Sequence, residues 1–286
     1  MRTGSRGMSY QRKSLVWLLG VIALFISCVG FGGDIRHQRT YVILGLCFAC
    51  ELIDSSLGMG YGTILTPTLL LLGYSPGDIV PTILISELFS GFAAAFFHNE
   101  IKNVELGRRG RHVKPAVLLT VGSVAGVTAG IFLAFALPTT ALRMLIGCII
   151  LLSGLFVVLW ARSAVHYRHW KMLTLATVAS FNKAVSGGGY GPLVTSGQIL
   201  SGVQGRAAVG ITSFAEGFTC LLASSLFLLK GGHVNLTILT PMCTGALLSV
   251  PFSVFAVNKT HDTHLKMIIG ILTMAMGALT IFKTLS

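Results

Sequence analysis

Long apolar segments, one after another, constrain this sequence more than any other feature. They fall roughly at 15–32, 41–73, 79–98, 114–137, 141–161, 169–203, 206–229, 236–257 and 264–284. Many are long enough for an α-helix to cross a ~30 Å hydrocarbon core. Charged residues make up 10% of the chain and hydrophobic residues 53%. A soluble domain would carry about 25% charged residues, so the chain reads as an all-α polytopic membrane protein. The lipid bilayer is its first partner.

A formal charge of +12 invites comparison with nucleic-acid binders, but the positive residues sit between the apolar segments. Arg2, Arg6, Arg12 and Lys13 precede the first. Lys102, Arg108, Arg109, Arg111 and Lys114 share one loop, and Arg162, Arg168 and Lys171 another. Cytoplasmic loops facing an anionic leaflet have this pattern, and no nucleic-acid partner is implied. Segment 15–31 reads as an uncleaved first helix, because Phe25-Ile26-Ser27 before Cys28 is a poor lipoprotein cleavage site. The six cysteines give no disulfide framework. Cys47 and Cys50 share a helix face and read as core, and His261-Asp262-Thr263-His264 as a solvated loop. No metal or cofactor is implied.

The chain also repeats itself. Gly58-Met59-Gly60-Tyr61-Gly62 recurs 129 residues later as Gly187-Gly188-Gly189-Tyr190-Gly191. The same offset pairs Thr66 with Thr195, Gly73 with Gly202, Glu87 with Glu216 and Phe89 with Phe218. Leu142–Gly147 likewise matches Leu265–Gly270 near the ends of the two halves. The expected organisation is a cytoplasmic segment and extra helix over 1–40, a first repeat over 41–168 and a second over 169–286.

Segments 41–73 and 169–203 are too long for one ordinary span, and charge decides how they run. With the N-terminus inside, a single crossing by 41–73 would put the basic loop at 99–114 outside, against the positive-inside rule. A hairpin that enters and returns puts that loop inside, together with 162–171 and the loop holding Lys259, His261, His264 and Lys266. Each repeat therefore reads as a glycine-broken helical hairpin plus three transmembrane helices. The two repeats are inverted, and the C-terminus is extracytoplasmic in the cell membrane.

Broken helix at membrane depth is tolerated only against protein or a water-filled cavity, and paired breaks in two halves point to a transporter's binding site. Gly58, Gly60 and Gly62, with Gly187, Gly188, Gly189 and Gly191, let the backbone turn and approach a ligand. Tyr61, Thr63, Thr66, Ser186, Tyr190 and Thr195 flank them. Two short helices opening at Thr63 and Pro192 would present free N–H groups and positive dipole ends to an anion. Glu51, Asp54, Glu87 and Glu216 are charges in apolar surroundings; Glu87 and Glu216 either take up a coupling proton or cation or hold structure, and Asp54 is a third candidate for such a role. Lys183, with Asn182 beside it, either binds the substrate anion or pairs with Asp54, 129 residues away.

The stretch Gly58–Gly73 and its partner Ser186–Gly202, with Gly-Gly-Gly-Tyr-Gly-Pro-Leu-Val-Thr, resembles the sulfite exporter TauE/SafE family. The resemblance runs over nearly all of 41–284. The first copy departs from the second by having Met59 and Thr63 where the second has Gly188 and Pro192. The resemblance implies transport of a small sulfur anion, such as sulfite or an organosulfonate, across the cytoplasmic membrane. The expected function is therefore a secondary transporter working by alternating access around the two glycine turns. An anion channel and a membrane subunit that docks a partner protein are the rivals. An enzyme is not expected, since no convincing nucleophile–base pair or paired-histidine metal site is present.

Overall fold

The computed structural model describes residues 13–21, 38–107, 110–160, 169–257 and 263–285, and their regular structure is helix alone. The elements are α1 (13–21), α2 (Gln38–Leu57), α3 (Tyr61–Leu71), α4 (Pro76–Glu100), α5 (Val113–Ala136) and α6 (Thr139–Trp160). Then come α7 (His169–Ser186), α8 (Tyr190–Leu200), α9 (Gly205–Leu229), α10 (Leu236–Ala256) and α11 (Thr263–Leu285). Most of segment 15–32 lies outside the described residues, as do Cys28, the loop arginines 108, 109, 162 and 168, and His261. What is described of α1 docks on α4 and α10: Trp17 Nε1 donates to Leu247 O at 3.1 Å, and Lys13 pairs with Glu100.

Among the described residues, seven helices are long and apolar enough to cross a membrane, and the chain is a multi-pass membrane protein. Large apolar side chains such as Leu152, Phe252, Ile268 and Phe282 are exposed, as lipid-facing residues should be. One of the seven, α2, does not cross and continue. The chain reverses after Leu57, and α3 returns so that Leu72 and Tyr74 line a single cavity with Arg39, Val42 and Ile43 at the start of α2. The second hairpin also closes on itself, with Gly197 of α8 packed against Leu175 of α7. With 11 residues each, α3 and α8 are ~16 Å long, about half the hydrocarbon thickness.

The most extensive helix contacts are α2 with α10, α5 with α7, α4 with α9 and α6 with α11. Small residues make these contacts close. A Cβ on Gly126 of α5 would lie 2.0 Å from Thr177 O of α7, and one on Gly245 of α10 would lie 2.3 Å from Leu44 O of α2. Gly147 and Gly154 of α6 meet Gly277 and Gly270 of α11. Cys47 and Cys50 are both part of the apolar core between α2, α4 and α10.

Candidate functional site

The two hairpins meet tip to tip in the middle of the molecule. Each turn begins alike: Gly58 N donates to Asp54 O at 2.6 Å, and Gly187 N to Lys183 O at 2.8 Å. Gly58 and Gly187 then take φ of 74° and 72°, a left-handed conformation that only glycine adopts readily. The tips touch through backbone. A Cβ on Gly62 would sit 1.8 Å from Gly187 O, and one on Gly191 would sit 2.4 Å from Gly58 O. Thr66 Oγ1 donates across the contact to Ser186 O, and Thr195 Oγ1 to Gly58 O, each at 2.8 Å.

Thr66, Thr195 and Ser186, read from sequence as substrate donors, here tie the turns together or cap them; Ser186 Oγ accepts from Gly188 N at 3.1 Å. Tyr61 and Tyr190 are fully buried, and the Tyr61 hydroxyl lies 2.6 Å from Ser86 Oγ. Thr63 Oγ1 is also buried, with no hydrogen-bond partner.

The buried charges sit about one helical turn from the tips. Lys183, 1% exposed, bridges the two glutamates that the 129-residue offset pairs: it pairs with Glu87 Oε2, and its Nζ lies 2.8 Å from Glu216 Oε1. Asp54 is not its ion-pair partner, contrary to one sequence expectation. Asp54 Oδ1 instead accepts the Tyr61 N–H at 3.2 Å, at the N-terminus of α3. Neither is Lys183 a bare cation facing an anion, since two carboxylates already flank it. Glu51 accepts from Ser55 at 2.5 Å and from Ser90 at 3.0 Å. Carboxylate oxygens of Asp54, Glu87 and Glu216 lie within 4.8 Å of one another.

The two helix starts differ. Gly60, before α3, packs on Ile53, in an apolar patch with Met59, Val157 and Ile269. Gly189, before α8, meets polar groups: a Cβ there would lie 3.0 Å from Ser153 Oγ and 3.5 Å from Asn182 Nδ2. Ser153 is 2% exposed, its hydroxyl has no hydrogen-bond partner, and α8 starts without a side-chain cap. Asn182 was legible in the sequence. Ser153 was not: a lone serine before Gly154 in an apolar helix reads as a packing residue.

A basic mouth opens at one end of the molecule. It is a cavity of about 540 Å³ whose lining includes Lys102, Arg111, His112, Lys114, Gly202 and Arg206. Arg111 clamps Glu105 through two 3.1 Å bonds, and these hold the Glu105 carboxyl below its usual range. Partial burial, and then the Arg111 charge, push the His112 imidazole below its ordinary value.

The chain matches the family model described as Sulfite exporter TauE/SafE over residues 42–280. It is similar to the Probable membrane transporter protein YtnM of Bacillus subtilis (strain 168), at 27% identity over 248 residues, covering 82% of this chain and 79% of that protein. No solved structure matches it.

Proposed function

The chain belongs to the sulfite exporter TauE/SafE family and is a membrane transporter, and on that footing we propose that it carries a small sulfur oxyanion, sulfite or an organosulfonate, by alternating access across the cell membrane. The family match over 42–280 carries the reading for transport. The uncapped start of α8 supports the site. There the backbone N–H groups and dipole of a buried helix join the unpartnered Ser153 hydroxyl and the Asn182 amide. These neutral donors, with the glycines 187–189 and 191, form the core of the anion site. The first turn, 58–62 with Thr63, forms its opposite wall.

Two inverted repeats, 41–168 and 169–286, are the moving parts. In support of this, the contact of α2 with α10 has its counterpart in α7 with α5, while α4 with α9 and α6 with α11 are each their own counterpart. The two hairpins also have opposite ends. The first returns beside Leu72 and Tyr74, on the side of Asp78 and His233; the second returns at Gly202, in the basic mouth. The positive-inside rule makes that mouth the cytoplasmic end. Tips held together by backbone contact disfavour a permanently open channel.

The test is uptake of sulfite and sulfoacetate by purified protein in liposomes, with Ser153→Ala and Asn182→Ala as probes. Each lost hydrogen bond to a charged ligand is worth ~1.5–3 kcal/mol, or roughly 10–100-fold in affinity. Wild-type half-saturation in both variants would remove the anion from the start of α8.

A further inference from the structure

The centre of this protein is acidic, which sits awkwardly with an anionic cargo. Glu87 of α4 and Glu216 of α9 flank a single ammonium, Lys183 of α7, with Asp54 of α2 beside them, and Glu51 of α2 lines the same small cavity as these carboxylates. The thiols of Cys47, Cys50, Cys220 and Cys243 and the phenols of Tyr61 and Tyr190 are further titratable groups around it among the described residues. Fully ionised, the five charged side chains would leave three uncompensated negative charges in a site where all but the half-buried Asp54 are buried. Buried charge of that kind is costly unless it is paired.

Two further observations say what relieves it. Glu87 is 3% exposed; its Oε2 contacts Lys183, while Oε1 has no hydrogen-bond partner. Glu87 belongs to the lining of a cavity of about 10 Å³, shared with Glu51, Asp54, Ser55, Ser90, Gly91, Ser213 and Glu216. A space of ~10–15 Å³ holds about one water molecule, so a hydrated metal cation does not fit. The cation position between Glu87 and Glu216 is already filled by the lysine ammonium.

We propose that this carboxylate cluster is the protein's proton carrier, and that it takes up at least one proton whenever the anion binds, so that anion and proton cross the membrane together. This rests on the anion-transport reading above. Asp54 and Lys183 each lie one helical turn before a glycine turn, and their carbonyls accept the N–H groups of Gly58 and Gly187. An anion at the start of α8 therefore sits close to the cluster. In a water-poor interior, negative charge on one opposes negative charge on the other. Proton and anion thus bind with positive cooperativity, and that coupling is reciprocal. A cooperative pair loads together and is released together, which is cotransport in one direction. Sodium is not required.

The test uses the full-length protein in liposomes with a trapped pH dye, the membrane potential clamped at zero, and methanesulfonate as the probe, because its charge is fixed across the pH range used. An inward methanesulfonate gradient should acidify the lumen, and replacing sodium by choline should change nothing. Half-saturation should rise about tenfold per pH unit for each proton taken up. Glu87→Gln, with Asp54→Asn as the second variant should the first fail to fold, should flatten that slope and abolish acidification while anion still enters. Methanesulfonate uptake without acidification, or uptake that needs sodium, overturns proton coupling and leaves the transport reading standing. If methanesulfonate, sulfoacetate and sulfite all fail to enter, the transport reading falls and this inference falls with it.

Discussion

Replacing Gly62 by alanine tests the tip-to-tip contact most directly. The new Cβ would lie 1.8 Å from the Gly187 oxygen, 2.7 Å from its carbon and 2.8 Å from the Gly188 Cα. An ordinary C···O approach is about 3.3–3.6 Å, so the turns must part by roughly 1.5 Å. No flexible side chain is in the way that could rotate aside; the obstacle is backbone. Overpacking of a tight interior costs ~1–3 kcal/mol, and a backbone obstacle puts this variant near the top, about 3. Alanine recovers up to ~1 kcal/mol within a helix, leaving a net loss of about 2 kcal/mol. Gly45 of α2 supplies the control, since nothing lies within 4 Å of its would-be Cβ. Gly45→Ala should be neutral or stabilising by up to ~1 kcal/mol. The measurement is thermal unfolding of both variants in one detergent. Gly62→Ala melting at or above Gly45→Ala would mean that the two turns are not in contact.

Two further outcomes follow from the charges. Lys183→Met strands Glu87 and Glu216 without their cation, and breaking a buried pair in this way costs ~3–5 kcal/mol. Adding Glu87→Gln and Glu216→Gln should restore much of the loss in the same melting assay, and an unaltered melt of the single variant would refute the bridge. At the mouth, His112 has a depressed pKa, so the folded state binds fewer protons there than the unfolded chain. Stability on its account then rises with pH through the range below its usual ~6.5 and is flat from about 7 to 8. The pH dependence of unfolding below that value should weaken in His112→Gln; an unchanged profile would show that the ring stays solvated.

Much of this was legible in the sequence because it was written twice. The 129-residue offset put Glu87 and Glu216 in equivalent places, and the structure brings both to one lysine. Loop charge predicted that 41–73 would double back, although α2 taken alone passes as a full span. What failed did so where symmetry misleads. The offset pairs Asp54 with Lys183, but the long lysine side chain reaches the two glutamates, while the short aspartate stays on its own hairpin and holds the Tyr61 N–H. Ser153 escaped for a similar reason. The alignment that matches Gly154 with Gly277 sets Met276 opposite it, so the repeat carries no echo of a polar residue there. Only the packing of α6 on α8 shows that this serine borders a helix start.

The placement of charge also bears on turnover. A transport site must bind firmly enough to load and weakly enough to release, as conduction sites must. A bare lysine beside the α8 start would hold an oxyanion through a strong Coulombic attraction in a site with little water. Here the ammonium is committed to Glu87 and Glu216, and the groups nearest Gly189 are an amide and a hydroxyl. Free positive charge is kept at the mouth, on Lys102, Lys114 and Arg206, where solvent screens it and where it can concentrate anions without trapping them. On the proposed function, binding inside is left to neutral donors, whose hydrogen bonds are weaker than those of an unpaired ammonium, and the proposed proton-carrying cluster sets when an anion can stay.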